Sequence, residues 1–426
     1  MYLILCTLYE SFVYYTHMPF DFSDSTLMGI IWEVTRFLII TSFIWLPILM
    51  ITVFFNTWLL YIRALFIKKQ GWVLLELRLP REIAKSPAAM ELFFTQLYQS
   101  GGVNYMDTYW LGKVRPWFSL EMVSIGGDIH FYIRTQPKFQ NIVESQIYAQ
   151  YPNVEIYEAE DYVRDVTVDS HEMWGTYFKL AAPDPYPILT YTDYGLAQSP
   201  EDEEQKIDPI SSVIEYLGSL KKGEQAWLQI LIQAHKKEGL KEGRVIPKPD
   251  WKKAVKDEIE KLKEGSIKKD QNDQLIFTGL QGQEVDTIKA LQRSMSKNAF
   301  ETTIRAFYIA EKNSFKTGNI SGLIGSFRQF GSNTLNGFKL GWYTDVNYPW
   351  EDFKGVRVRK MKKKMLDGYK MRSFFHPPHK NHRMKPFILT TEELATIFHI
   401  PGGVVTTPTF SRIQSRKAEP PTNLPV

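Results

Sequence analysis

The chain has 426 residues, of which 44% are hydrophobic and 23% charged. That is enough for two or three domains with proper cores, and it excludes a disordered or fibrous chain. The formal net charge of +4 rules out an overall polycation. The single cysteine, Cys6, excludes an internal disulfide framework and any multi-cysteine zinc or iron–sulfur centre, so a reducing compartment is permitted.

Hydropathy is distributed unevenly. Residues 1–20 are aromatic-rich but interrupted by Glu10, and they lack the basic start and small-residue cleavage site of a removable signal peptide. Residues 37–62, FLIITSFIWLPILMITVFFNTWLLYI, contain no charge and offer no polar face, so they predict one transmembrane helix within an N-terminal segment 1–70. Pro47 is tolerated there because membrane helices accept proline. Asp21, Asp24 and Glu33 precede the run, with Arg36 the dissenting cation on that side, and Arg63, Lys68 and Lys69 follow it. The positive side stays cytoplasmic, which predicts a single-pass protein of the cytoplasmic membrane with everything after Lys68 in the cytoplasm. Trp45, Trp58 and Tyr61, with Arg63, Lys68 and Lys69, are the candidate membrane-interface anchors.

Beyond the span the periods change. Residues 71–79, GWVLLELRL, read as a strand, and Ser86-Pro87 opens a helix with Met90, Phe93, Phe94 and Leu97 on one face. Alternating runs on either side of Gly126-Gly127 predict a hairpin, with Phe118, Leu120 and Met122 facing one way on the first strand and Ile129, Phe131 and Ile133 on the second. A helix over 137–150 and a strand over 153–157 complete a β-α-β-β-α-β order, the ferredoxin-like arrangement, over 71–165. The order recurs over 170–345: strand 177–181, a helix with Ile210, Val213, Ile214 and Leu217, strand 226–235, a strand around 302–309, a glycine-punctuated helix over 320–330 and strand 338–343. A polar insertion over 236–297, with WKKAVKDEIEKLKEG, predicts a solvent-exposed helix or hairpin. The predicted fold class is therefore α+β: an N-terminal transmembrane helix, two tandem ferredoxin-like units, and a basic C-terminal extension over 346–426.

That extension concentrates charge. Residues 351–385 hold twelve Lys or Arg against three acids. Arg357, Arg359, Lys360, Lys362, Lys363 and Lys364 could hold nucleic-acid phosphates, an anionic leaflet, or an acidic partner surface. After them, TTEELATIFHIPGG predicts a short helix with a Thr390/Glu393 capping box, and the proline-rich end reads as a linker. No phosphate-binding G-x-x-x-x-G-K-[ST], H-E-x-x-H or G-x-S-x-G motif is present. Gly318, Gly322, Gly325 and Gly331 read as packing glycines. His376, His379 and His382 lie in a proline-broken basic loop, so no metal ligand is assigned. The acidic stretch over 155–165 and the run 201–204 read as solvated surface. No catalytic residue and no cofactor are expected.

The blocks GWVLLELRLPREIAKSPAAMELFFTQLYQSGG and WFSLEMVSIGGDIHFYIRTQPKFQNIVESQIYAQYPNVEIYEAEDY resemble the membrane-proximal region of bacterial type IV secretion or conjugative coupling-type ATPases. FILTTEELATIFHIPGGVVTTPTFSRIQSRKAEPPTNLP is similar to the segment just before their TraG/HerA-class motor. The resemblance is weak in the polar insertion. It implies a membrane-anchored assembly and docking module whose partners are the membrane, a hexameric-type motor ATPase in the same or another chain, and a second copy of itself. ATP hydrolysis does not carry over, because no residue here matches a motor motif. The competing expectation is a membrane-tethered module that binds DNA nonspecifically through the basic 354–385 segment.

Overall fold

The computed structural model describes residues 27–79, 85–197, 207–242, 250–265, 267–269, 275–277, 282–346, 348–377, 380–381 and 383–401. They fall into two compact units, residues 1–61 and 62–426.

The first unit holds α1 (Leu27–Ile40) and most of α2 (Ser42–Lys69). The predicted single helix over 37–62 is therefore broken near its start. The Thr41 hydroxyl turns back to the Phe37 carbonyl at 2.8 Å, and Pro47 supplies no N–H for the next turn. The 28 residues of α2 are long and apolar enough to cross a membrane. Ile51 and Phe54, each 68% exposed, show that this is not a helix buried in a protein core.

The second unit is built on strands β1 (Val73–Arg78), β2 (Trp117–Ile125), β3 (Asp128–Thr135), β4 (Glu155–Glu158), β5 (His171–Leu180), β6 (Glu224–Ala234), β7 (Ile267–Lys269), β8 (Leu275–Phe277), β9 (Ala299–Glu311), β10 (Phe338–Tyr343) and β11 (Phe387–Thr390). Between and after them run helices α3 (Ala88–Gln96), α4 (Tyr105–Tyr109), α5 (Pro137–Gln150), α6 (Ser211–Gly218), α7 (Trp251–Gly265), α8 (Gly282–Met295), α9 (Thr317–Gly325), α10 (Val356–Lys370) and α11 (Thr391–Ile397). Among the described residues nine strands form one antiparallel sheet in the order β10-β5-β9-β6-β2-β3-β1-β4, with β11 on β9 beyond the end of β5; β7 and β8 make a separate hairpin.

The strands expected as two units thus share one sheet. β2 and β6 pair from Trp117↔Gln233 to Ile125↔Gln225. β2 lies between β3 and β6, and β6 between β2 and β9, so neither is a free edge.

Strand alternation sends two sets of side chains to opposite faces. Leu228, Ile230 and Ile232 join Phe93, Phe131, Val143, Ile147, Leu217, Leu323 and Leu394 in the larger core under α3, α5, α6, α9 and α11. Trp227, Leu231, Val123, Tyr132 and Phe307 form the opposite core with Met365, Leu366 and Tyr369 of α10 and with Val163 and Val166.

Three expectations change here. The insertion helix α7 is not solvent-exposed all round: Trp251, Val255 and Ile259, four residues apart, pack against Ile288, Leu291 and Ile388. The segment 346–401 is not an appendage, because α10 buries one face in a core and β11 and α11 are buried along their whole length. The acidic stretch does not end in a purely solvated loop, since Tyr162, Val163 and Val166 pack against the sheet. The Thr390/Glu393 capping box forms as expected, with Glu393 also accepting from the Ile188 amide at 2.9 Å. Gly322 lets α9 approach Tyr216, whose ring would lie 2.9 Å from an added Cβ.

Candidate functional site: the basic helix and its buried anchor

The basic residues become a surface only because α10 has a second, apolar identity. Met361, Met365, Leu366 and Tyr369 recur at helical spacing among the lysines and are all buried. The helix can lie close because Gly175 of β5 has no side chain: a Cβ there would meet Phe307 Cε1 at 2.6 Å and Met365 Sδ at 3.0 Å. At its start Asp352 accepts from the Arg357 and Val358 amides at 2.8 and 2.9 Å, satisfying two N–H groups that no helical turn can reach.

Beyond its end Arg372 enters the sheet. Its Nε and Nη2 donate to the two Glu121 oxygens at 2.9 and 3.1 Å, and Nη1 and Nη2 donate to Asp161 at 2.6 and 2.8 Å. Glu121 also accepts from Ser119, Tyr162 and Gln229, and Tyr162 is 2.8 Å from the Tyr369 hydroxyl. Arg305 donates to Gln229 at 2.6 Å and to the Ser373 carbonyl at 3.2 Å. Glu121, Arg305 and Arg372 are fully buried, so every partner counts. Burial alone would raise the Glu121 carboxyl; the Arg372 charge and hydrogen bonds, with those from Ser119 and Tyr162, outweigh it and hold it at about 2. Arg372 itself sits at φ +46°, outside the usual helical region, which is how the chain leaves α10 and turns into the network.

Outside this anchor the candidate cations divide. Arg359 pairs with Asp169 and Lys362 with Glu172, at the start of β5. Arg357 reaches the Glu351 carbonyl at 3.3 Å. Lys360, Lys363 and Lys364 are exposed, and among the described residues none of them is in an ion pair. Next to them the turn that leads into α10 exposes Trp350 at 76% and Phe353 at 85%, with Tyr348 stacked on Trp350 at 4.7 Å. Sequence reasoning singled out the cations and missed these aromatics. It also missed Glu121, whose place as the one charged residue of the strand WFSLEMVSI was the available signal.

The strand registers place this surface. β1 starts beside the end of β3 (Val73↔Thr135), the start of β2 lies beside the end of β6 (Trp117↔Gln233), and the end of β5 beside the start of β10 (Phe338↔Leu180). β10 therefore finishes, and the 344–356 turn begins, at the end of the sheet opposite to where α2 feeds β1.

The near end carries a cavity of about 720 Å³, lined among others by Arg63, Lys113, Arg115, Glu238, Glu301 and His376. Its charges largely serve one another: Arg115 pairs with Glu238 and Glu301, and Lys113 with Asp107. The His376 Nε2 accepts from Gln233 at 2.6 Å, and desolvation, then Arg115 and Arg63, push its pKa down, so the ring is neutral. It is half-buried rather than part of an exposed loop; His379 and His382 lie outside the described residues.

Of the candidate interface anchors, Trp45 donates to the Leu38 carbonyl at 3.0 Å, Trp58 stacks on Phe54, and Tyr61 is exposed. Lys68 and Lys69 are exposed, whereas Arg63 is engaged with the Glu242 carbonyl at 3.0 Å.

No curated protein matches the chain. A family model described as Domain of unknown function (DUF8128) matches residues 70–412, which takes in the whole sheet, the insertion and the basic helix. The chain belongs to the DUF8128 family.

Proposed function

We propose that the chain is a non-catalytic, membrane-anchored assembly module that docks a TraG/HerA-class motor ATPase in a type IV secretion-like or conjugative apparatus. The observation that carries this reading is that α2 runs into β1 at one end of the sheet, while the exposed Trp350 and Phe353, with lysines that form no ion pair among the described residues, lie toward the other. Aromatic side chains beside cations are what partner surfaces use as anchors. The strand orders β4-β1-β3-β2 and β10-β5-β9-β6 follow one scheme, which supports reading the sheet as two ferredoxin-like units joined across β2 and β6. In this reading α2 crosses the cytoplasmic membrane and the sheet lies in the cytoplasm, behind Arg63, Lys68 and Lys69.

The test is recovery of the motor with the full chain in mild detergent. Trp350→Ala with Phe353→Ala should lower that recovery by roughly 30-fold, as expected for anchors contributing about 2 kcal/mol or more. Unchanged recovery, or a chain that stays alone where such assemblies persist, would overturn the reading.

Lys360, Lys363 and Lys364, in no ion pair among the described residues, favour one second reading, nonspecific DNA binding. It expects the triple Lys360→Gln, Lys363→Gln, Lys364→Gln variant to flatten the log-affinity against log-salt slope by about 2.7, at about 0.9 per phosphate contact. An unchanged slope removes it.

A further inference from the structure

Residues 104–113 turn the usual arrangement of a surface loop inside out. Tyr105, Met106, Trp110 and Leu111 are 54%, 65%, 67% and 55% exposed. The polar residues between them are engaged: Thr108 is buried and donates to the Lys241 carbonyl at 2.5 Å, and Asp107 closes a capping box on Asn104 and pairs with Lys113 at 2.8 Å. A capped and hydrogen-bonded loop holds its apolar side chains outward by construction.

The loop is also fixed in place. Gly112, at φ +64°, is buried against the backbone of Ile62 and Arg63: a Cβ there would lie 2.5 Å from the Ile62 carbonyl carbon and oxygen and 2.8 Å from the Arg63 nitrogen. Arg63 is the first charge after the apolar run 37–62. The loop thus closes on the last residue of that run and on the charge that follows it. Tyrosine and tryptophan favour the water–hydrocarbon boundary, where the ring is buried and the polar atom stays wet. Lys68 and Lys69, exposed on α2 beyond Arg63, suit anionic headgroups.

We propose that residues 104–113 are an interfacial wedge: Tyr105, Met106, Trp110 and Leu111 sit in the headgroup layer of the bilayer beside the end of α2 and fix the height and tilt of the sheet above the membrane. The wedge rests on the membrane-anchored reading above and adds a second, non-spanning membrane contact to it. A lipid surface is favoured over a protein partner because the loop closes on Ile62 and Arg63, where the apolar run gives way to charge, and Lys68 and Lys69 follow on the side predicted to face the cytoplasmic leaflet.

The test uses the full chain carrying Cys6→Ser, reconstituted into vesicles of phosphatidylcholine and phosphatidylglycerol, with one nitroxide label at a time. Labels go at Trp110→Cys, Ile51→Cys and Trp350→Cys, and at Met106→Cys as a second wedge position in case the tryptophan variant misfolds. Relaxation by oxygen and by a water-soluble nickel complex reads depth. The expected result is a label at 110 or 106 about 5–10 Å below the headgroups, one at 51 near the midplane, about 15 Å deep, and one at 350 in water. A wedge label as open to nickel as the one at 350, with 51 at the midplane, overturns the wedge and leaves the anchor standing. A wedge label shielded from both reagents shows a protein contact and overturns it equally. Labels at 51 and 110 that are both in water overturn the anchor and the wedge together.

Discussion

Arg372→Met should destabilise the second unit by about 3–5 kcal/mol, because it removes one partner of a fully buried pair and leaves the other without compensation. Arg372 contributes four hydrogen bonds to Glu121 and Asp161, and methionine can make none of them. The pH dependence should change sign, which separates a lost ion pair from lost packing. In the parent chain Glu121 titrates at about 2 when folded, below its ordinary 4.5. Its contribution, about 3 kcal/mol by linkage, is present above pH 4.5 and is lost as pH falls from there through 2. Without Arg372 burial dominates, the folded carboxyl titrates above 4.5, and stability falls as pH rises. Urea unfolding of the full chain in detergent at several pH values, followed by tryptophan fluorescence, measures both. A variant within 1 kcal/mol of the parent and with the parent's pH slope would show that the network does not hold α10.

Gly112→Ala should be the most damaging alanine substitution among the described glycines. The added Cβ meets backbone atoms of Ile62 and Arg63 at 2.5–2.8 Å, and backbone inside a helix cannot rotate away as a side chain would. Overpacking of this kind costs about 1–3 kcal/mol, and a non-glycine residue at φ +64° adds about 1–2 more. Gly195 is the control, at φ +73° with open space around its Cβ position, so Gly195→Ala should lose only the conformational part. The loop in the Gly112 variant should detach from α2 and expose the Lys113–Val114 bond, which limited trypsin digestion reads directly. Equal stability losses for the two alanine variants, with no new cut after Lys113, would mean that the contact with α2 carries little.

Most of the strands and helices could be read in the sequence because each follows one period. The helical spacing in α3, α5 and α6 matches their burial, since each turns one apolar face to a core, whereas in β2 and β6 the alternation sorts side chains between two cores and both faces are covered. Two elements misled where two patterns overlap. In α10 four buried side chains are interleaved with seven exposed or partly exposed cations, so composition read as surface. In α7 Trp251, Val255 and Ile259 are separated by enough Lys and Glu to look solvated, yet one stripe suffices to pack against α8.

The candidate site divides in the same way. The cations Arg357, Arg359, Lys360, Lys362, Lys363 and Lys364 were legible as a cluster because they are neighbours in the chain. That Arg359 and Lys362 are engaged while Lys360, Lys363 and Lys364 are not was illegible, because Asp169 and Glu172 lie 190 residues away from their partners.

By itself the sequence determined the apolar span, the order and type of most elements, the capping of α11 and the concentration of charge after residue 351, since each depends on residues within a few turns of one another. The tertiary structure decided that the strands share one sheet, that α10 is a core element, that Glu121, Arg372, Asp161 and Arg305 form one buried network, and that an apolar loop ends up against Ile62 and Arg63. Those outcomes join residues 50 to 250 positions apart. Which distant partners meet is set by strand register and by the cost of leaving a buried charge or an unpaired edge, quantities that exist only once the chain has folded.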